Sequence, residues 1–380
     1  MSWDRTRRTH RAARLGRAAQ GAAGARSDDA RQVRATPAAR TERSEGRGAK
    51  GVLVDAHGRR ITDLRVSVTD RCNLRCSYCV PAQGLVFAER ERLLHIEEIA
   101  RLVEVAVSLG ISKFRLTGGE PLVRRGLPAL VERLTQLPGV EDVPLTTNGV
   151  LLAEQARALY AAGARRLNVS LDALSQGCFQ SLTRCDALPR VLAGISAARD
   201  AGFRIKINMI PIRGVNEDQI LPMAHWALGK GLHLRFIEYM PFASNGWSMD
   251  QVITAAELRG MLARELDLGA GQRTPPDSPA EDYPVAGADV PVGVIACVTE
   301  PFCRHCSRMR LTAEGALRPC LHSHVELDVA ARLRAGASDN ELRALFRAAA
   351  AAKPSGRQEF HASTLVQGAV AERPMIRIGG

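Results

Sequence analysis

The sequence predicts an α/β protein whose parallel sheet is either open or curled into a partial barrel. From about residue 60, short apolar segments with strand character alternate with amphipathic helical segments, and this unit repeats six times. No apolar run approaches the roughly 18 residues that a transmembrane helix needs, so no membrane span is expected. The predicted strands are Leu64–Val68, Lys113–Leu116, Val143–Thr146, Arg166–Leu171, Arg204–Ile210 and Leu232–Ile237.

Amphipathic segments follow these strands and predict the helices that cover the sheet. Because strand–helix–strand crossovers are right-handed, the C-terminal ends of the strands are expected on one face, where α/β active sites lie. The predicted helices are Ile96–Leu109, Leu127–Leu137, Ala153–Ala162, Leu188–Ala201 and Asp218–Leu228.

A proline-rich segment near residues 270–290 predicts a linker to a smaller second region. Pro275, Pro276, Pro279 and Pro284 lie there among glycine and acidic residues. Beyond the linker, the sequence predicts two short strands and a helix, at Val294–Val298, Met309–Thr312 and Glu341–Ala352. The expected organisation is a basic extension at 1–50, a strand–helix domain at 51–270 and a C-terminal region at 271–380.

The net charge of +12 comes mostly from residues 1–50, which hold 13 basic and 5 acidic residues. This segment is rich in Arg, Ala and Gly and lacks the apolar surface that would order it, so we expect it to be disordered. It is a dispensable extension or upstream start, an organelle transit peptide, or a nucleic-acid-binding arm. Because the remaining chain is only mildly basic, nucleic acid is not an expected partner of its folded body.

The nine cysteines do not predict a disulfide scaffold. Their count is odd, six of them form two groups, and no secretory signal precedes them. We therefore expect a reducing compartment, the cytoplasm, with organelle import through the basic extension as the alternative. Cys178, Cys185 and Cys297 fall outside both groups and are expected to be ordinary thiols.

The first group, Cys72, Cys76 and Cys79, follows the first predicted strand. Three thiolates at this spacing can hold three corners of a cubic iron–sulfur cluster and leave its fourth iron open. A structural zinc site is the alternative, but it prefers four protein ligands and no nearby His or Cys supplies the fourth. The spacing therefore favours an open cluster.

Polar residues alternate with apolar ones along three of the predicted strands, so each strand has one polar face. If the apolar faces meet the helices, the polar faces line a wet cavity whose basic groups suit an anion such as a polyphosphate. A solvent-exposed sheet edge is the alternative. The strand that holds Arg235 is less regular, since Glu238 shares the parity of Leu234 and Phe236. The polar faces are Lys113, Arg115 and Thr117; Arg166, Asn168, Ser170 and Asp172; and Lys206 and Asn208.

The second group comprises Cys303, Cys306 and Cys320, with His305 and His322 nearby. A zinc site completed by one histidine and a second cluster with one open iron are both compatible with this set. Downstream of Cys306, Arg308 and Arg310 have strand spacing on one face and could enter the same cavity.

The motifs occur in the order CNLRCSYC, RLTGGEP, LTTNG, NVSLDAL, IKINMI, GVNEDQI, RFIEYMPF, PFCRHCSRMRLTAEGALRPCL and a terminal Ile378-Gly379-Gly380. The first resembles the cluster loop of the radical S-adenosylmethionine (SAM) superfamily. The whole set, over about residues 52–380, resembles the GTP-cyclising branch that serves molybdenum cofactor biosynthesis. This resemblance implies a partial (β/α)6 TIM-type barrel of parallel strands, with a smaller C-terminal α+β region closing its open side. It also implies two [4Fe–4S] clusters and SAM.

The resemblance also implies roles for individual residues. SAM contacts are expected from Tyr78, Gly119, Ser170 and Met240. GTP contacts are expected from Arg65, Lys113, Arg115, Thr146, Lys206, Arg308 and Arg310, with Asn208 and Arg235 assisting. The Gly379–Gly380 tail is expected to enter the cavity and act in catalysis with Arg308 and Arg310, and Arg373 and Arg377 to add positive charge there.

The activity implied by the resemblance is a lyase reaction in which a 5′-deoxyadenosyl radical removes the ribose 3′ hydrogen of GTP and C3′ attacks C8. The implied partners are GTP, a downstream cyclic pyranopterin monophosphate synthase, an unidentified reductant and a second copy in a homodimer. The enzymatic alternative is a peptide-modifying maturase with an auxiliary cluster, although such enzymes usually carry more C-terminal cysteines. The non-enzymatic alternative is a nucleic-acid-binding protein with two zinc sites, which the low aromatic content of 4% disfavours.

Overall fold

The computed structural model describes residues 51–80, 84–242, 245–356 and 373–379. The predicted basic extension at 1–50 and the terminal Gly380 lie outside these ranges. All described residues fall in one compact unit, and the predicted boundary between 270 and 271 stays a prediction. No helix in the described ranges has both the length and the apolar character needed to span a bilayer.

An eleven-stranded sheet runs through the described part of the chain in the order β11-β10-β9-β1-β2-β3-β4-β5-β6-β8-β7. Neighbouring strands from β9 to β8 are parallel, whereas β10, β11 and β7 are antiparallel additions at the edges. The strands are β1 Asp63–Ser67, β2 Lys113–Thr117, β3 Leu145–Thr147, β4 Arg166–Ser170, β5 Arg204–Met209, β6 His233–Ile237, β7 Glu281–Tyr283, β8 Val292–Ile295, β9 Arg308–Leu311, β10 Ala316–Arg318 and β11 Leu327–Asp328.

The six predicted strands are confirmed as β1 to β6, in chain order and all parallel. The C-terminal region supplies the next strand on each side, because β9 pairs with β1 and β8 pairs with β6. The sheet is not closed, as expected for a partial barrel.

The expectation of a linker near 270–290 was wrong. Residues 281–283 form β7, which pairs with β8, and Gln272 bridges to Asp282. Prolines misled the interpretation because a proline is tolerated beside an edge strand, where one side of the backbone needs no partner.

Helices cover the outer face of the sheet. In α1, buried Ile99, Leu102, Val103 and Ala106 recur at helical spacing, and His95 begins the helix with a capping box. The eight-residue α4 had no sequence prediction. The helices are α1 Ile96–Ser108, α2 Leu127–Thr135, α3 Leu152–Ala161, α4 Gln176–Thr183, α5 Leu188–Asp200, α6 Ile220–Gly229, α7 Ala255–Leu262, α8 Val329–Arg334, α9 Asp339–Ala351 and α10 Met375–Ile378. Short 3₁₀ turns lie at Arg90–Arg92, Pro121–Val123, Glu217–Gln219, Met249–Gln251 and Cys303–His305.

The strand alternation decides which side chains form the core. Leu64 and Val66 of β1 and Phe114 and Leu116 of β2 are fully buried. Burying each such side chain contributes roughly 1.5–3 kcal/mol. The residues between them point to the concave side of the sheet, where they line a cavity.

Candidate active site

A cavity of about 360 Å³ lies on the concave side of the sheet. Both cysteine groups line it, together with polar side chains of β1, β2, β4, β5, β6 and β9. The alternative in which the polar faces meet solvent at a sheet edge therefore does not apply to these residues.

The first cysteine group lies in the loop after β1, and the end of α4 supports that loop. Arg75 N donates to Thr183 O at 3.0 Å and Ser77 N donates to Leu182 O at 2.9 Å. Burial raises the pKa of Cys72 to about 11 and holds the pKa values of Cys76 and Cys79 above their usual range. Three buried thiols of this kind ionise when a metal compensates the charge of the thiolates.

A tight turn after β2 lies against the cysteine loop. A Cβ on Gly119 would lie 2.3 Å from the carbonyl oxygen of Arg71, so only glycine fits there. The Glu120 carboxylate accepts hydrogen bonds from Leu122 N at 3.0 Å, Thr147 Oγ1 at 2.6 Å and Asn148 N at 2.6 Å. Burial outweighs these bonds and raises the pKa of Glu120 to about 7.

Asp172, just after β4, fixes the tyrosine of the cysteine loop. Tyr78 Oη donates to Asp172 Oδ2 at 2.5 Å, and Ile210 N donates to Asp172 Oδ1 at 2.8 Å. Burial raises the pKa of Asp172 to about 6, although the bond from Tyr78 opposes this. The carboxylate thus joins the cysteine loop to the end of β5.

Arginines from neighbouring strands form a basic surface in the cavity. In the register of the sheet, Arg65 of β1 lies between Arg115 of β2 and Arg310 of β9. Two residues earlier on β1, and on the same face, Asp63 lies between Lys113 and Arg308.

Several polar atoms of this basic surface are buried without a hydrogen-bond partner: Arg65 Nε, Arg115 Nη1, Arg308 Nη2 and Asp63 Oδ1. Burial, Arg310 and Arg308 lower the pKa of Arg65 well below its usual range. Burial and Arg115 lower the pKa of Arg235 to about 9. Unsatisfied donors and mutual repulsion both favour an anionic ligand.

Two buried basic residues hold the segments that carry the second cysteine group. Arg59 Nη1 donates to Cys303 O at 2.8 Å, and Lys353 Nζ donates to Arg308 O at 2.5 Å and to Pro319 O at 2.8 Å. Burial alone would raise the pKa of Cys306. The positive charges of Arg308 and Lys353 outweigh burial and lower this pKa to about 6. This thiol is therefore poised to be a thiolate ligand.

The C-terminal tail reaches the same region. Ile378 is fully buried beside Phe242, and Arg310 Nη1 donates to Gly379 O. Gly379 has φ 69°, and a Cβ there would lie 3.0 Å from Thr117 Cγ2. Glycine suits this position for both reasons.

The expectation for two tail arginines was wrong, since neither lines the cavity. Arg373 forms ion pairs with Glu314 at 3.2 Å and Glu326 at 2.9 Å. Arg377 instead donates to Val86 O. Nearby carboxylates and carbonyls draw these side chains away from the site.

The structure brings most predicted site residues together and leaves some apart. Lys113 and Lys206 do not line the cavity, and Gly379 touches its edge through Arg310. The residues that line it are Cys72, Cys76, Cys79, Cys303, Cys306, Cys320, Tyr78, Gly119, Ser170, Met240, Arg65, Arg115, Thr146, Asn208, Arg235, Arg308 and Arg310. Asp172, on the polar face predicted for its strand, lines the cavity as expected, whereas sequence reasoning missed Arg59, Asp63, Glu120, Asn148, Cys297 and Lys353 as site residues.

For some of the missed residues a sequence signal existed. Glu120 and Asn148 lie inside recognised motifs. Asp63 lies two residues before Arg65, so the two side chains lie on the same face of their strand. We find no such signal for Arg59, Cys297 or Lys353.

Comparison with known proteins assigns the family. Residues 66–227 match the radical SAM superfamily and residues 232–359 match Molybdenum Cofactor Synthesis C. A GTP 3′,8-cyclase of Streptomyces coelicolor is 45% identical over 342 residues, covering 89% of this chain and 99% of the relative. This chain belongs to the GTP 3′,8-cyclase family. A second GTP 3′,8-cyclase, from Pelotomaculum thermopropionicum, is 43% identical over 331 residues, covering 86% of this chain and all of that relative.

A solved structure supports the fold of this GTP 3′,8-cyclase family member. Streptococcus suis SuiB bound to S-adenosylmethionine superposes with a TM-score of 0.53 at 13% identity. The match covers 72% of this chain and 64% of SuiB. At this identity the likeness is one of fold, and it agrees with a partial barrel.

Proposed function

We propose that this chain binds SAM and GTP in one cavity and converts GTP to (8S)-3′,8-cyclo-7,8-dihydroguanosine 5′-triphosphate, the first step of molybdenum cofactor biosynthesis. One observation carries the proposal. Two cysteine groups and an arginine surface with unpartnered buried donors line the same cavity. A zinc-binding structural protein would have no use for such a surface, whereas a radical enzyme acting on a nucleoside triphosphate needs all three parts.

Both cysteine groups fit a [4Fe–4S] cluster with one open iron. Each provides three sulfur donors, and in a cubic cluster each thiolate bonds a separate iron. Cys72, Cys76 and Cys79 would hold the cluster that binds SAM, and Cys303, Cys306 and Cys320 the second one. Among the described residues, no three His, Cys, Asp or Glu side chains converge as they would around a single ion.

Bound SAM and a reduced cluster supply the 5′-deoxyadenosyl radical, through one-electron cleavage of the S–C5′ bond. The protein positions the two substrates for that radical. Glycine at position 119 lets the turn after β2 pack against the cysteine loop, where the SAM amino group would bind, and Asp172 orients Tyr78 beside that loop. Ser170 and Met240 would complete the SAM contacts.

The arginine surface binds the triphosphate and thereby places the ribose. GTP then loses one hydrogen atom from C3′, and C3′ bonds to C8 of the purine. One electron and one proton added afterwards complete a product that is an isomer of GTP. Arg308 and Arg310 keep positive charge beside the reacting nucleotide, and Gly379 borders the site through its contact with Arg310.

The proposal is tested by coupling SAM cleavage to GTP. The full chain is reconstituted anaerobically with iron and sulfide, supplied with SAM and dithionite, and assayed for 5′-deoxyadenosine with and without GTP. We expect GTP to stimulate deoxyadenosine formation, with a cyclised GTP isomer appearing in step. Deoxyadenosine formation that ignores GTP would overturn the cyclase assignment but keep the radical SAM class. No deoxyadenosine from a cluster-loaded chain would overturn both.

The same proposal implies partners on either side of the reaction. A reductant must supply both electrons, and a cyclic pyranopterin monophosphate synthase would consume the product. The product can be purified by ion-exchange chromatography and incubated with that synthase. Its consumption by the synthase provides an independent readout of product identity.

A further inference from the structure

The excess positive charge of the cavity lining favours the more negatively charged form of the nucleotide. Five arginines line the cavity without an ion pair to any described carboxylate: Arg65, Arg115, Arg235, Arg308 and Arg310. Two other basic residues also line the cavity: Arg59 forms an ion pair with Asp55 at 2.6 Å, and Lys353 donates to neutral backbone carbonyls.

The described part of the lining has three carboxylates, and only one lies among these arginines. The Glu120 carboxylate accepts hydrogen bonds from Leu122 N and Asn148 N. The Asp172 carboxylate accepts hydrogen bonds from Tyr78 Oη and Ile210 N. Asp63 lies beside Arg308 in the sheet register, and its Oδ1 atom has no partner.

Five guanidinium groups, the Lys353 ammonium group and one carboxylate leave this lining with a formal charge of five positive. A free nucleoside triphosphate carries about four negative charges at neutral pH and compensates most of it. The magnesium complex carries two fewer, so it would leave more than half of the positive charge uncompensated.

The surface is also a poor site for magnesium itself. Mg²⁺ is usually held by one or two carboxylates together with the substrate phosphates and several waters. Here a magnesium ion on the triphosphate would face five guanidinium groups and a single carboxylate. The guanidinium groups of Arg65, Arg115 and Arg308 line the cavity, and each has one buried nitrogen without a partner. Guanidinium groups are suited to phosphate oxygens, which magnesium would otherwise occupy.

We infer that the cavity takes GTP as the metal-free tetra-anion and that Mg·GTP must lose its magnesium to bind. The inference rests on the proposed function. Asp63 then serves as the counter-ion of the empty arginine surface and does not bridge a metal to the phosphates.

Equilibrium binding separates the two forms of the ligand. The anaerobic, cluster-loaded full chain is dialysed against GTP with EDTA, and then with magnesium at matched ionic strength. If magnesium lowers the free GTP fraction tenfold, the apparent Kd for total GTP should rise about tenfold. An exchange-inert chromium(III)·GTP complex should fail to compete. A Kd that stays constant or falls with magnesium, or competition by the chromium complex, would overturn the inference.

The Asp63→Asn variant sharpens the test, because asparagine has nearly the same shape. If Asp63 is only a counter-ion, the variant binds GTP at least as tightly and keeps the same magnesium dependence. If Asp63 bridges a metal, the variant loses tight binding in magnesium and the inference fails. A wild-type chain that binds GTP under neither condition would instead refute the proposed function.

Discussion

The Lys353 ammonium group links the two ends of the second cysteine segment, and replacing it with methionine tests that link. The side chain is 3% exposed, and its Nζ donates to Arg308 O at 2.5 Å and to Pro319 O at 2.8 Å. Arg308 lies two residues after Cys306, and Pro319 lies directly before Cys320. Methionine fills most of the space but offers neither bond.

The magnitude follows from those two bonds. Hydrogen bonds from a charged donor contribute roughly 1.5–3 kcal/mol each, and both carbonyls lose their donor in the variant. Against this, the folded chain no longer buries an ammonium group, which costs several kcal/mol. The two bonds are together worth about 3–6 kcal/mol and the relieved burial offsets part of that, so we expect the free energy of unfolding to fall by about 1–3 kcal/mol. For a chain of this size the midpoint should fall by about 1–4 °C.

Anaerobic thermal unfolding measures this loss, with Lys230→Met at an exposed position as the matched control. Because Lys353 also holds the cysteine segments, iron content per chain should fall toward half, with SAM binding retained. Unfolding midpoints that agree between the two variants would refute the reasoning. So would full iron content in Lys353→Met.

Three further perturbations test the cavity and the packing around it. Burial and the neighbouring Arg235 lower the pKa of Lys206 to about 8. Lys206 does not line the cavity, but its charge adds to that of Arg235, which does; the lysine loses its charge above that pH, so the Kd for GTP should rise modestly as pH rises through 8. Lys206→Arg should move that rise to higher pH, and a Kd that ignores pH would show that the charge of Lys206 does not act on bound GTP. Asp172→Asn should weaken SAM binding about tenfold because Tyr78 loses a charged acceptor; Tyr78→Phe in the same chain should add little, and fully additive losses would separate the two roles. A Cβ on Gly293 would lie 2.5 Å from a carboxylate oxygen, so Gly293→Ala should lower the free energy of unfolding by about 1–3 kcal/mol. Gly260→Ala, with open space around the Cβ, should instead raise it by about 0.4–1 kcal/mol; equal unfolding midpoints would contradict this packing.

The fold was largely predictable because strand periodicity is local. Along β4, Arg166 and Asn168 alternate with Leu167 and Val169, and this is enough to define the strand and its polar face. The same rule was ambiguous for β6, where four consecutive residues are buried. His233 and Arg235 still alternate there with Leu234 and Phe236, and the residue that breaks the pattern is Glu238, which follows the strand and accepts hydrogen bonds from Ala255 N and Val298 N.

The candidate site was predictable where its residues lie in motifs and unpredictable where long-range contacts create it. The cysteines and Gly119 belong to short segments whose spacing carries chemistry. Arg59 donates to the backbone carbonyl of Cys303, and Lys353 donates to the backbone carbonyl of Pro319. Both contacts join residues that lie far apart in the sequence. A carbonyl is present at every position, so no pattern of residue types marks such a contact.

The sheet order has a consequence for how the protein is made. β1 pairs with β9, so Arg65 near the start of the folded chain has Arg310 as its neighbour. A ribosome would finish the first cysteine loop long before it releases the strand that borders it. During that interval β9, which helps to enclose the cavity, is missing. An iron–sulfur cluster inserted early would therefore be exposed to solvent and oxygen. Cluster insertion is therefore expected to follow completion of the chain.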